Sequence, residues 1–278
     1  MNAQAPRQVQ DVELRALIDA IYLQYHYDFR SYAFVSIKRR IGAALARFGF
    51  DTVSELQGKV LRDATLFGAL LDYLTVQVSD MFRDPEYFRV LRERVAPVLH
   101  TYPSLKVWVA GCSSGEEAYS FAILLRECGL LSRTLIYATD INARALEQAR
   151  SGVYAIDRLA GFTENHRRSG GTAAFSDYYT AAYGNAVFDR SLRDHIVFAD
   201  HSLATDSVFA EMQLVSCRNV LIYFDRGLQD RAVRLFRDAL CLKGFLGIGA
   251  RESLRFTSYA AAFEPVSQEH RVFQKVGA

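Results

Sequence analysis

Apolar residues over roughly the first ninety positions recur at helical spacing. In "DVELRALIDAIYLQYHYDF", Val12, Leu14, Leu17, Ile18 and Ile21 fall mostly on one stripe. In "SYAFVSIKRRIGAALARFGF", Ile37, Ile41, Leu45 and Phe48 repeat every three to four residues, and Gly49 is the expected stop. "DTVSELQGKVL" opens on Asp51 as the expected N-cap, with Glu55 in the first turn. "RDATLFGALLDYLTV" and "DPEYFRVLRERVAPVL" read as further helices. Pro85 suits the first turn of the last one, where its missing N–H has no helical partner anyway. The pattern predicts a helical N-terminal domain over residues 1–90.

From Lys106 the pattern changes. "KVWVAG" and "TLIYATDI" are short β-rich runs ending in small or acidic residues, and each is followed by a helical run, "DINARALEQAR" being the second. Such alternation predicts a mostly parallel sheet with crossover helices, an α/β domain over residues 91–278. "LAGFTENHRRSGGTAAFSDYYTAAYGN" interrupts the rhythm and is expected to form a small β insertion near residues 160–195. The alternation resumes with "HIVFAD", "MQLVSCRNVLIYF", the helix "RGLQDRAVRLFRDAL" and "GFLGIGA", and "RVFQKV" reads as a last strand.

Composition narrows the classes. The 278 residues are 50% hydrophobic, enough to bury a substantial core. A net charge of +2 gives no global excess that would point to nucleic acid. The N-terminus lacks an apolar signal core and no run reaches membrane-spanning length, so a cytoplasmic protein without membrane insertion is expected. Cys112, Cys128, Cys217 and Cys241 lie far apart and form no CxxC pair, and the six histidines are scattered, so neither a disulfide framework nor a metal site is expected.

The chemistry concentrates in "VWVAGCSSGEEAYSFAILL", where a strand runs into a small-residue turn and then a helix. That is the generic nucleotide cradle of doubly wound folds. Gly111 and Gly115 do not have dinucleotide spacing, and no lysine follows them as a phosphate loop requires. Glu116 and Glu117 beside the turn would repel a phosphate. They suit a cationic, hydroxyl-rich ligand such as S-adenosylmethionine; on the plainer reading, they only complement the helix dipole. Asp140, ending the second strand, stands where a carboxylate accepts ribose hydroxyls.

Four ordered blocks, "VQVSDMFRDPEYF", "VWVAGCSSGEEAYSFAILL", "YATDINARALEQARSGVY" and "VSCRNVLIYFD", resemble CheR-type chemoreceptor methyltransferases over nearly the whole chain. The last block is the most specific, since generic methyltransferases do not carry it after the fourth strand. The resemblance implies a Rossmann-like class I methyltransferase domain behind the helical domain. It further implies S-adenosylmethionine as donor, S-adenosylhomocysteine as product, and O-methylation of receptor glutamates. Block by block, it implies donor contacts at Gln77, Ser79, Arg83, Gly111, Glu117, Asp140, Ser202, Leu203, Arg218 and Asn219, with Arg83 and Tyr223 facing the reacting centre.

The implied partner is the chemoreceptor's cytoplasmic helical bundle or a related signalling protein, met by a monomer. A basic run on one helix, Lys38, Arg39, Arg40 and Arg47, is the expected receptor-facing surface, although such a run is by default a solvated face. In some family members the β insertion grips a receptor C-terminal peptide. The chain departs from the family at Val76, Gln77, Asp80 and Met81, and in "GARESLRF", which lacks the histidine often found before the Ser-Glu pair; these departures bear on substrate choice. The alternative reading is a non-catalytic signalling module that binds S-adenosylmethionine or S-adenosylhomocysteine. A small-molecule or nucleic-acid methyltransferase is a third, disfavoured by the absence of a base-flipping motif.

Overall fold

The computed structural model describes residues 4–277. They divide into two compact units, one running to Val76 and including Tyr223–Gln229, the other made of Gln77–Ile222 and the chain from Asp230 onward.

The first unit holds helices α1 (Gln4–Tyr25), α2 (Phe34–Phe48), α3 (Val53–Val60) and α4 (Ala64–Leu74). Leu14, Leu17, Ile18 and Ile21 of α1 are buried, as are Ile37, Ile41 and Leu45 of α2. Val12, placed by its spacing on the same stripe, is instead 67% exposed. Gly49 ends α2 in the left-handed conformation, φ 74°, where no Cβ penalty applies, and its N–H bonds to the Leu45 carbonyl. The cap of α3 is Thr52 rather than Asp51. Thr52 Oγ1 accepts the Glu55 N–H at 3.2 Å while Glu55 Oε2 accepts the Thr52 N–H at 3.2 Å. This reciprocal box requires the acid three residues after the cap, which only Thr52 satisfies.

The division at Val76 precedes the line drawn at residue 90 from the sequence, because α5 (Pro85–Val90) buries Tyr87 and Phe88 in the core of the second unit. This helix continues through a π turn, Leu91–Val95, into α6 (Ala96–Leu99). The Ala96 N–H reaches back five residues to the Leu91 carbonyl just before Pro97, which has no N–H to offer.

There follow β1 (Leu105–Ala110), α7 (Glu116–Glu127), β2 (Thr134–Asp140), α8 (Ala143–Ser151), β3 (Val153–Ala155), α9 (Leu159–Arg168), β4 (Tyr179–Ala182), β5 (Asn185–Phe188), α10 (Arg190–Arg193), β6 (Ile196–Asp200), β7 (Met212–Cys217), α11 (Arg226–Ala239), β8 (Leu240–Ile248), β9 (Phe263–Ser267) and β10 (Val272–Lys275). Seven strands form one sheet in the order β6-β2-β1-β7-β8-β10-β9. The first five run parallel, and β10 is antiparallel to both its neighbours. Both faces of β1 are buried, Val107 and Val109 in the core shared with α7 and Trp108 against His201, Phe209 and Phe236.

The sequence reading missed β9. Its Pro265 and the adjoining irregular register place it where a strand lacking one donor is tolerated, at the sheet edge. The expected insertion holds α9 and the β4–β5 hairpin. Its three-stranded sheet, in the order β3-β5-β4, also recruits β3 from before the insertion.

Candidate functional site

The chain leaves β1 toward β2 and β6 and returns on the opposite side through β7, so the carboxyl ends of β1 and β7 flank a switch point, the usual ligand crevice of open α/β sheets. At that edge the turn after β1 is wound through left-handed conformations at Gly111 (φ 75°), Ser113 (φ 51°) and Gly115 (φ 94°). At Gly111 a Cβ would stand 2.4 Å from Val220 Cγ2, so this turn and the loop after β7 touch only because the position is glycine.

The side chains here brace one another. Ser113 donates its N–H to Asp140 Oδ2 at 2.8 Å and its hydroxyl to Gln77 Oε1 at 2.6 Å. Asp140 Oδ1 accepts the Asn142 N–H at 2.9 Å. Burial pushes Asp140 above the ordinary carboxylate range, with the amides of Asn142 and Ser113 pulling the other way. Gln77, Gly111 and Asp140 are thus brought together through Ser113, which was not among the residues singled out from the sequence.

A second cluster forms around Glu117. Its Oε1 accepts the Ser216 hydroxyl at 2.6 Å, and Oε2 accepts Arg218 Nη1 at 3.0 Å. Because that hydroxyl is committed to the carboxylate, Tyr87 must be the donor in its 3.0 Å contact with Ser216. Arg218 Nη2 bonds to the Asp84 carboxylate at 2.6 Å and to the Arg83 carbonyl at 2.8 Å, and the guanidinium lies 4.2 Å over the Tyr87 ring. With its side chain only 1% exposed, Arg218 has its charge matched by protein acids. It joins the Arg83–Asp84 segment to Glu117.

Arg83 differs. Its Nη1 donates to the Val78 carbonyl at 3.3 Å. The neighbouring acids that could have paired with it are engaged elsewhere, Asp84 by Arg218 and Glu86 by Arg89. Phe82 (φ 51°) and Asp84 (φ 57°) flank it in a left-handed backbone that non-glycine residues seldom adopt.

Glu116 corrects the reading of two acids facing a ligand. It is fully buried, its carboxylate accepting Arg158 Nη1 at 2.7 Å and the Ser114 hydroxyl at 2.8 Å. Arg158 also holds the Ser79 carbonyl and, at 3.1 Å, Asp80. Adjacent residues on a helix point about 100° apart, so only one of the pair can look outward. That acid is Glu117.

Asn219 adopts the left-handed conformation (φ 62°) and gives its N–H to Glu252 Oε2 at 3.2 Å. Glu252, absent from the sequence candidates, also accepts the N–H groups of Gly249 at 2.5 Å and Ile222 at 3.3 Å. Burial raises its pKa against the pull of these amides. A buried acid just past the end of β8 was the available signal. Ser202 and Leu203 follow β6 in a turn closed by Asp206, which accepts the Ser202 N–H at 2.9 Å, and Arg231 Nε bonds to the Leu203 carbonyl at 3.2 Å.

Tyr223 belongs to the first unit. There its carbonyl accepts the Ala33 N–H at 2.8 Å, and its ring lies 4.3 Å below the Arg40 guanidinium. Arg40 is itself buried and bonds to the Leu74 carbonyl, and Lys38 pairs with Asp11. The basic run expected on α2 therefore presents only Arg39 and Arg47 as exposed cations.

Among the described residues, no group of three or more His, Cys, Asp or Glu could hold a metal ion, and no helix is long and apolar enough to cross a membrane. The turn does fit a phosphate-free adenosine ligand. Glu117 and Asp140 flank it, and the nearby Arg218 is already neutralised.

Comparisons agree with this geometry. Residues 77–272 match the CheR methyltransferase SAM binding domain, and residues 12–75 match the CheR methyltransferase all-alpha domain. A Pseudomonas putida protein provisionally named methyltransferase Cher3 is 58% identical over 95% of this chain and 97% of its own length. Chemotaxis protein methyltransferase of Listeria innocua is 32% identical over 82% of this chain and 84% of its own, and chemotaxis protein methyltransferase 1 of Vibrio cholerae is 31% identical over 83% and 84%. The two domain matches together span most of the sequence, helical unit first and α/β unit second: the chain belongs to the CheR family of S-adenosylmethionine-dependent methyltransferases.

Proposed function

We propose that this protein forms methyl esters on glutamate side chains of chemoreceptors, or of a related signalling protein, in the cytoplasm. The observation that carries this reading is Arg83: a half-buried guanidinium without an ion pair among the described residues, joined through Arg218 to the carboxylate Glu117. The chemotaxis names of the relatives support the receptor as acceptor.

When bound, S-adenosylmethionine supplies a methyl group on a positively charged sulfur. Asp140 would accept hydrogen bonds from its ribose, and Glu117 would sit near its cationic end, with Gln77, Ser79 and the Asn219 turn lining the approach and Ser202–Leu203 on the adenine side. A glutamate acceptor has a reference pKa of about 4.3 and is already ionised near neutral pH, so no protein base is needed to make the nucleophile. Transfer of that methyl group to an acceptor carboxylate, with loss of its bond to sulfur, would leave a neutral ester and a neutral thioether. Opposite charges vanish in that step, so water, which stabilises them apart, slows it. The work left to the protein is alignment and exclusion of water, the alignment worth at most about 7–11 kcal/mol. Arg83 would hold the acceptor carboxylate through paired N–H donors. Arg218 is assigned a positioning role instead, and Tyr223 no chemical step.

The test is incubation with a labelled methyl donor and a receptor-containing membrane fraction, followed by alkali. Base-labile label on receptor glutamates is the expected result, and label stable to base would exclude an ester. The β4–β5 hairpin is the corresponding place for a receptor tail peptide, and calorimetry with such peptides decides that extension.

A further inference from the structure

The loop after β8 carries the "GARESLRF" departure, and its side chains divide sharply. Glu252 and Leu254 are buried, whereas Arg251 and Arg255 are exposed and Phe256 is 80% exposed. The inward residues fix the loop to the site. Glu252 clamps Gly249 and the Asn219 turn through their amides, and at Gly249 a Cβ would stand 2.7 Å from the Asn219 nitrogen. Further along, the Thr257 hydroxyl bonds to the Leu254 carbonyl at 2.8 Å and the Ser258 N–H to Asp230 Oδ1 at 2.6 Å. The outward residues are therefore presented by a braced backbone at the carboxyl edge of the sheet. Neither Arg251 nor Arg255 has an ion pair among the described residues, and their acidic neighbour Glu252 is occupied by backbone amides.

We propose that Arg251, Arg255 and Phe256 form a docking surface for an acidic amphipathic helix of the methyl-accepting protein, beside the glutamate being esterified. The proposal rests on the glutamate-methylating reading above and names what that site recognises beyond the target residue. Two unpaired guanidinium groups select carboxylates by charge and by fork geometry. An exposed phenylalanine directly after Arg255 offers an apolar contact for the other face of the same helix. Charge complementarity favours this occupant: the acceptor is itself an acid, and a helix segment bearing further acids a turn away places them within reach of fixed cations. It also relocates the expected electrostatic surface, since two of the four cations in the α2 run are engaged within the protein.

The experiment is steady-state methylation of a purified chemoreceptor cytoplasmic fragment by the full-length protein and its R251E/R255E variant, with S-adenosylhomocysteine affinity measured in parallel by calorimetry. The variant should raise the acceptor KM about tenfold and flatten its dependence on salt, while kcat and product affinity stay within about twofold. F256S should raise KM about threefold with the salt dependence kept. Replacing glutamates that flank the target by glutamine should cost the wild type much and the charge-reversed variant little. Unchanged KM and salt dependence in R251E/R255E would overturn the surface, as would a fall in product affinity equal to the rise in KM, which marks damage to the donor site. A wild type that binds S-adenosylhomocysteine but esterifies no glutamate removes the functional reading, and the surface with it; intact methylation with an indifferent loop removes the surface alone.

Discussion

Around the glycine turn of the α/β unit the carboxylates are tied down: Asp140 by the amides of Ser113 and Asn142, Glu117 by Ser216 and Arg218, Glu116 by Arg158, Glu252 by three amides. Arg83, Arg251 and Arg255, proposed to meet the acceptor, carry no ion pair among the described residues. On the proposed function, the contrast would follow from what each side meets. A small donor of fixed shape is best served by groups oriented in advance, which need not reorganise on binding. A partner protein brings its own counter-charges, so cations on the rim stay open until it arrives, and salt screens them.

The comparison can be broken most forcefully at Arg218. Removing one partner of a buried ion pair typically costs about 3–5 kcal/mol. Arg218→Ala should lose stability on that scale in urea unfolding and weaken product binding as Glu117 loses its brace. A variant as stable as the wild type would show that the bracing is superfluous. Arg83→Ala comes next. Losing a charge-assisted hydrogen bond of about 1.5–3 kcal/mol should lower kcat/KM for the acceptor about 100-fold. Calorimetric affinity for S-adenosylhomocysteine should shift less than about threefold, and near-normal turnover would return Arg83 to ordinary surface.

Asp140→Asn tests the donor side alone. It keeps the shape and removes the charge, and should weaken product binding about tenfold. The pH profile sharpens this. Burial raises the Asp140 pKa above the ordinary carboxylate range, and the ionised form would be the stronger acceptor for ribose hydroxyls. Affinity should therefore fall as pH drops through that raised value, and this acid limb should be missing from the Asn variant. The smallest effect is expected for R39E/R47E on α2, a two- to threefold rise in acceptor KM, since exposed charge pairs are worth at most about 1 kcal/mol each. An effect larger than that of R251E/R255E would move the receptor surface back to the helical unit.

Much of this was readable from residue order. Periodicity marked all four helices of the first unit, because a stripe of Ile37, Ile41 and Leu45 has no other way to leave water together. Glycine at 111 and the acid at 140 marked the donor turn, because left-handed backbone and strand-end carboxylates are local requirements. Local signals failed where two segments had equal claims. Asp51 and Thr52 are both good caps, and only the reach of Glu55 chose between them.

Sequence alone determined the order of elements apart from β9, the family and the kind of donor, since these depend on spacing and on residue types that few backbones tolerate elsewhere. Only the folded chain decided which charges remain available. Glu116 and Glu117 are equivalent on paper, as are Arg40 and Arg39, or Arg218 and Arg83. Burial beside Arg158, Leu74 or Glu117 satisfied the first of each pair; Glu117 is in turn held by Arg218, while Arg39 and Arg83 have no ion pair among the described residues. A charge inside a protein must find its partner there, because leaving it unpaired costs several kcal/mol, a large share of the fold's margin of stability.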